Sequence, residues 1–151
     1  MLLNFILGLL LPLPAGIYLY RKDKKILLCT FPFTSMIAFL INELGFYFGF
    51  WNVLPIIDGH KSFSALPLDM GLYPVLGTLM VYSIKLKNKN PFIVILLVAL
   101  FTTLLEYLLV QVGRVTYGNG WNIFFTFFSY LIPYAVVYLY NILLERVIRE
   151  P

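Results

Sequence analysis

Five apolar stretches, most of them near the length that crosses a bilayer, take up most of this chain. About 20 apolar residues span a membrane as a helix, and few other folds can use so many runs of that kind. The first stretch runs from Leu2 to Tyr20 and ends at Arg21-Lys22-Asp23-Lys24-Lys25. Ile26 to Phe50 is the second. Leu68 to Ile84 is the third and shortest, followed by Lys85, Lys87 and Lys89. Pro91 to Val112 is the fourth, and Ile123 to Leu144 the fifth, with Glu145-Arg146-Val147-Ile148-Arg149-Glu150-Pro151 after it. The pattern predicts an all-α integral membrane bundle of five transmembrane helices, one domain over residues 1–151.

Charge agrees with that class. A soluble domain carries about 25% charged residues; this chain has 12%, too few to cover a water-facing surface, so the lipid bilayer is the expected partner. A net charge of +4 can signal nucleic acid. Here the cations lie in short loops between apolar runs, and no nucleic-acid partner is expected.

Those cations set a direction. With the amino terminus outside, the inner segments hold nine basic residues: Arg21, Lys22, Lys24, Lys25, Lys85, Lys87, Lys89, Arg146 and Arg149. The outer segments hold two, Lys61 and Arg114. The positive-inside bias then predicts a multi-pass protein of the cell membrane, amino end out and carboxyl end in. The first stretch has its basic cluster after the apolar run, the reverse of a secretory signal. It reads as a retained helix, bent or loosened by Pro12 and Pro14.

Three carboxylates lie inside these stretches or at their rim: Glu43, Asp69 and Glu106. A charge at the centre of a membrane helix costs ~2.5 kcal/mol or more, so such residues draw attention first. Glu43 stands eight residues before Trp51, ~12 Å from the outer boundary at 1.5 Å per residue. Glu106 stands six before Val112, ~9 Å deep by the same rise. Asp69 follows Pro67 by two and suits a helix start, where an acid complements the dipole. Asn42 precedes Glu43, and Arg114 lies eight past Glu106, where its stem could reach back as a counter-charge. Glu43, Asp69, Glu106, Arg114 and Asn42 are the candidate binding residues. The expectation is that Glu43 and Glu106 point into one interior space, directly or bridged through Asp69, Asn42 or Arg114.

Other chemistry has little support. Cys29 and His60 are single, so no disulfide or cysteine-based metal site is expected, and His60 beside Asp58 reads as a solvated loop histidine. No Gly-rich phosphate loop, Ser-His-Asp set or aspartate-rich diphosphate motif occurs; no catalytic residue, metal or cofactor is assigned. Trp51 and Trp121 fall at the outer boundary, as interfacial aromatics do. Tyr47-x3-Trp51-Asn52 echoes Tyr117-x3-Trp121-Asn122, which suggests a duplicated hairpin, spans two and three matched with four and five.

The run Leu66-Pro67-Leu68-Asp69-Met70-Gly71-Leu72-Tyr73-Pro74-Val75, with Trp51 and Pro55 before it and Glu106, Gly113 and Trp121 after it, resembles a family of small uncharacterised bacterial polytopic membrane proteins. That family carries a Leu-Pro-x-Asp-x-Gly-x-x-Pro-Val segment and a later Glu, Gly and Trp; Tyr107 replaces the proline that usually follows the glutamate. The resemblance implies fold and membrane location, and no activity. A second, weaker likeness is to lycopene cyclase-type membrane domains, whose Pro-x-Glu-Glu segment is matched in its first half by Pro67-Leu68-Asp69. Met70 stands at its second acid.

Two functions stay open on this basis. One is a non-catalytic membrane component, such as a partner subunit or assembly factor. The other is an outer-leaflet-facing site that binds or modifies a lipid, isoprenoid or cation through Glu43, Asp69 and Glu106.

Overall fold

A computed structural model describes residues 1–56 and 60–149; Asp58, Glu150 and Pro151 lie outside the described residues. The described residues are 79% helical, with five helices among them long and apolar enough to cross a membrane. They are α1 Leu2–Lys22, α2 Lys24–Tyr47, α3 Ser62–Leu86, α4 Pro91–Gln111 and α5 Ile123–Arg149. Two short strands, β1 Trp51–Val53 and β2 Val115–Tyr117, follow α2 and α4.

Side-chain caps begin three of the helices. Asp23 accepts from the Ile26 N–H at 2.9 Å and starts α2. Asn90 accepts from Phe92 and Ile93 at the start of α4, with Pro91 at the first helical position. Asn122 does the same for Phe124 and Phe125 of α5. Each supplies an acceptor to N–H groups that have no partner inside the helix.

Helix α3 is the hub. Two thirds of its apolar stretch (67%) is buried, against 17–22% for the other four helices. It is also the least hydrophobic, with mean hydropathy 1.3 against 2.6 for α4. A soluble fold would reverse that order. In lipid the outer helices must be the most apolar, while an interior helix needs small residues for close approach and hydroxyls for bonding. Gly71 and Gly77 show the fit: a Cβ on Gly77 would lie 2.8 Å from the Thr34 methyl of α2.

The third helix extends back beyond Leu68. It begins at Ser62, where the Ser62 hydroxyl donates to Glu43 of α2 and the Ser64 carbonyl accepts from Asn4 of α1. Asp69 is therefore two turns inside the helix and 1% exposed. It serves no helix start. A π-helical turn, Leu68–Leu72, holds it, closed by the Tyr73 N–H to the Leu68 carbonyl. Helix α1 has a matching π turn at Ile6–Leu10, closed from Leu11 to Ile6 at 2.8 Å just before Pro12. The two π turns cross at their glycines, where a Cβ on Gly71 would lie 1.9 Å from the Gly8 carbonyl oxygen. Asn4 of α1 adds a polar tie, donating to the Leu54 and Ser64 carbonyls at 3.0 and 2.8 Å.

A local two-fold relates α2–β1 to α4–β2. Helix α2 ends through Gly49 (φ 66°) and α4 through Gly113 (φ 68°). Around Gly49 the Phe50 N–H bonds the Gly45 carbonyl and Gly49 bonds Phe46; around Gly113, Arg114 bonds Leu109 and Gly113 bonds Val110. Both ends are the same glycine-terminated cap. The strands pair antiparallel, Trp51 with Tyr117, Asn52 with Thr116 and Val53 with Val115. Flanking bonds obey the same symmetry: Leu54 donates to the Arg114 carbonyl at 2.8 Å and Gly118 to the Phe50 carbonyl at 2.9 Å. The likeness covers the ends of α2 and α4 and the two strands, in a different register from the aromatic echo: Gly49 matches Gly113, and Trp51 matches Val115, not Trp121.

Candidate functional site

Counting back seven residues from each capping glycine reaches Asn42 on α2 and Glu106 on α4. Two turns of helix place both on the inward side beneath the β ribbon, one neutral and one acidic. Each collects a polar set from its neighbours.

Glu106 receives three hydroxyls. Tyr117 of β2 donates to Oε1 at 2.8 Å, Thr126 of α5 approaches the same oxygen at 3.3 Å, and Tyr130 of α5 donates to Oε2. Thr126 is itself 3.0 Å from the Tyr117 hydroxyl and accepts from the Trp121 indole N–H at 2.9 Å. Tyr117 lies outside the helices, and burial together with the Glu106 carboxylate raises its phenol above the ordinary value near 10. It remains a donor at any physiological pH. Trp121, read from sequence as an interfacial anchor, also helps hold Thr126.

Asn42 joins the other half. Its Oδ1 accepts from the Trp51 indole N–H at 3.0 Å and its Nδ2 donates to Asp69 Oδ1 at 2.6 Å. The relay runs from β1 through α2 to the π turn of α3. Trp51 fits because α2 has glycine opposite it: a Cβ on Gly45 would lie 2.1 Å from the indole ring. Asp69 Oδ2 is buried without a partner among the described residues.

Tyr73 links the halves. It follows Asp69 by one turn, and its hydroxyl lies 3.0 Å from that of Tyr130. Because Tyr130 commits its proton to Glu106, Tyr73 must be the donor between the two phenols. Asn42, Tyr73, Glu106 and Tyr130 form the polar end of a cleft between α2 and α5, with Thr34, Ile37 and Tyr134 farther along it. The cleft holds about 40 Å³. A water needs roughly 10–15 Å³ by the same measure, so a few small molecules of that size would fit. Pro133 on its wall has no N–H, which leaves the Ser129 carbonyl without its usual helical donor.

Glu43 goes elsewhere. Its Oε1 accepts from the Ser62 hydroxyl at the start of α3, it is half-buried, and it does not line the cleft. No hydrogen bond joins it to Glu106 among the described residues. The two glutamates therefore do not line one cleft directly; Asn42, one residue earlier on α2, lines it with Glu106. Two carboxylates facing each other would repel and desolvate together, and an amide in one place removes that cost. Arg114 reaches no carboxylate among the described residues; it contributes its backbone carbonyl to the ribbon. No three His, Cys, Asp or Glu side chains among the described residues converge as a metal site would need.

Asn42 and Glu106 line one cleft and Asp69 joins it through Asn42, whereas Glu43 and Arg114 do not line it. Charge-led reading missed Tyr73, Thr126 and Tyr130, which are neutral. The available signal was spacing, because Asp69 to Tyr73 and Thr126 to Tyr130 are both single helical turns. Comparison with protein-family models, characterised proteins and solved structures finds no match for this chain.

Proposed function

We propose that the chain is a non-catalytic, multi-pass component of the cell membrane, with its amino end outside and its carboxyl end inside. The nine-to-two bias of basic residues supports this threading, and the exposed apolar side chains on the helices, such as Phe92, Leu97, Leu104 and Leu139, suit lipid or a neighbouring membrane subunit. A bacterial origin rests on the resemblance alone. The observation that carries the functional reading is the bonding of Glu106: two phenols donate to its carboxylate, one to each oxygen, and the Thr126 hydroxyl lies beside them. Acids used this way cross-link helices where water cannot compete. They keep few free lone pairs for a substrate.

The test is native mass spectrometry of gently extracted protein, with Glu106→Gln as control. The expected result is no adduct that depends on Glu106. A retained molecule released by Glu106→Gln would overturn the reading and make the cleft a binding site.

One observation favours a second reading, in which this level of the bundle takes up a small cation or a proton. Asp69 Oδ2, buried and unpartnered, has capacity that nothing in the chain uses. Under this reading the unfolding midpoint rises with one alkali cation at constant ionic strength, and Asp69→Asn abolishes the rise.

A further inference from the structure

A second cavity, larger than the ribbon-side cleft, lies at the opposite end of the bundle from the ribbon. It measures about 300 Å³, is open on one side, and is lined by the beginning of α2 and the ends of α3 and α5. Its polar lining is balanced in sign: Asp23 and Glu145 against Lys25 and Lys85, with Asn141 between them. By the same measure of roughly 10–15 Å³ per water, it has room for a polar group much larger than any the ribbon-side cleft admits.

The charged groups hold unused bonding capacity. Lys85 donates to Glu145 at 3.0 Å and to the Asn141 carbonyl at 3.2 Å, which leaves one of its three N–H groups. Glu145 uses Oε1 for Lys85, and Asp23 uses Oδ1 for the α2 cap; the second oxygen of each is uncommitted in these bonds. Asn141 accepts from Thr30 at 2.9 Å and donates one N–H to the Val137 carbonyl, so a second N–H is left. The helix dipoles add a direction. The α2 start favours an anion, while the α3 and α5 ends favour a cation. Walls of Leu144 and its apolar neighbours continue from this polar floor.

We propose that this void binds the headgroup of a zwitterionic aminophospholipid. Its phosphate faces Lys25 and Lys85; its ammonium faces Glu145 and Asp23. The acyl chains leave along the apolar wall. The four charges that line the pocket sum to zero and lie side by side, Lys85 paired with Glu145, so a zwitterion can exchange with them charge for charge. Free N–H groups on the ligand match the spare carboxylate oxygens, which a quaternary ammonium cannot do.

The full chain in nanodiscs holding equal amounts of phosphatidylethanolamine, phosphatidylcholine and phosphatidylglycerol, released for native mass spectrometry, tests this. The expected result is phosphatidylethanolamine retained about tenfold over either competitor, as two charge-assisted bonds would give. Glu145→Gln frees Lys85 and leaves the pocket positive, so the preference should pass to phosphatidylglycerol. Asp23→Asn retains the helix cap and should move the preference the same way, which covers failure of the first variant to fold. Equal retention of the ethanolamine and choline lipids, a wild-type preference for phosphatidylglycerol, or a preference unchanged in the folded variants would overturn the proposal. Because the pocket shares no residue with the Glu106 set, these variants leave the test of that set untouched.

Discussion

The hydroxyls of Tyr73 and Tyr130 meet 3.0 Å apart, each one helical turn beyond a polar residue that serves its own hairpin, Asp69 on α3 and Thr126 on α5. The relation is nearly symmetric in position and asymmetric in direction. Tyr130 donates onward to Glu106, whereas Asp69 takes its donor from Asn42.

That direction ranks two substitutions. Tyr130→Phe strips a donor from a buried carboxylate and should cost ~1–3 kcal/mol of stability, while Tyr73→Phe removes only a phenol–phenol bond and should cost ~0.5–1.5 kcal/mol. Unfolding of the purified protein in detergent, followed by circular dichroism, reads the difference. Equal losses would mean the network is not ordered as described.

Asn42→Leu should destabilise more than Ser62→Ala. The first change leaves both the Trp51 indole and Asp69 without a partner, at ~1–3 kcal/mol for each orphaned group. The second releases a half-buried Glu43 that water can reach. The same unfolding assay applies, and a larger loss for Ser62→Ala would put the organising role on Glu43.

Two glycines separate crowding from backbone freedom. A Cβ at Gly71 meets the Gly8 backbone, whereas nothing lies within 4 Å of one at Gly113, whose φ is 68°. Gly71→Ala should therefore loosen α1 and speed proteolysis of the amino-terminal residues. Gly113→Ala should cost only the left-handed backbone penalty of ~1–2 kcal/mol, and Gly113→Asn should recover part of it. Faster cleavage near the amino end in the Gly113 variants would contradict this.

Threading has its own test. In a Cys29→Ser background, a cysteine at the exposed His60 should react with an impermeant thiol reagent added to intact cells, and one at the exposed Asn88 only after lysis. The reverse order would place the Glu106 level in the other half of the membrane.

The five helices could be read from apolar length, because lipid imposes a minimum on any helix that crosses it. Ser62–Pro67 escaped that reading, since a segment packed against protein can be polar and still helical. The π turns carried no apolar signature at all. Glu106 stood out by its charge, but Asn42, its counterpart, is neutral and was noted only as the neighbour of Glu43. The repeat was visible in composition and misaligned in detail, because aromatics at a boundary recur for reasons of depth. The glycines at 49 and 113 recur because only they terminate the helices that way.

The ribbon also orders events during synthesis. Trp51 of β1 finds its partner in Tyr117, more than sixty residues later in the chain. At ~5–20 residues per second, the first hairpin waits several seconds with an unpaired strand edge before the ribosome delivers β2. Until then Glu106 has no Tyr117 and the cap over the bundle cannot close. Truncated chains that stop before residue 115 would therefore carry α1 to α4 and yet lack the latch, an exposed edge that marks them as unfinished to any quality-control protease on that side.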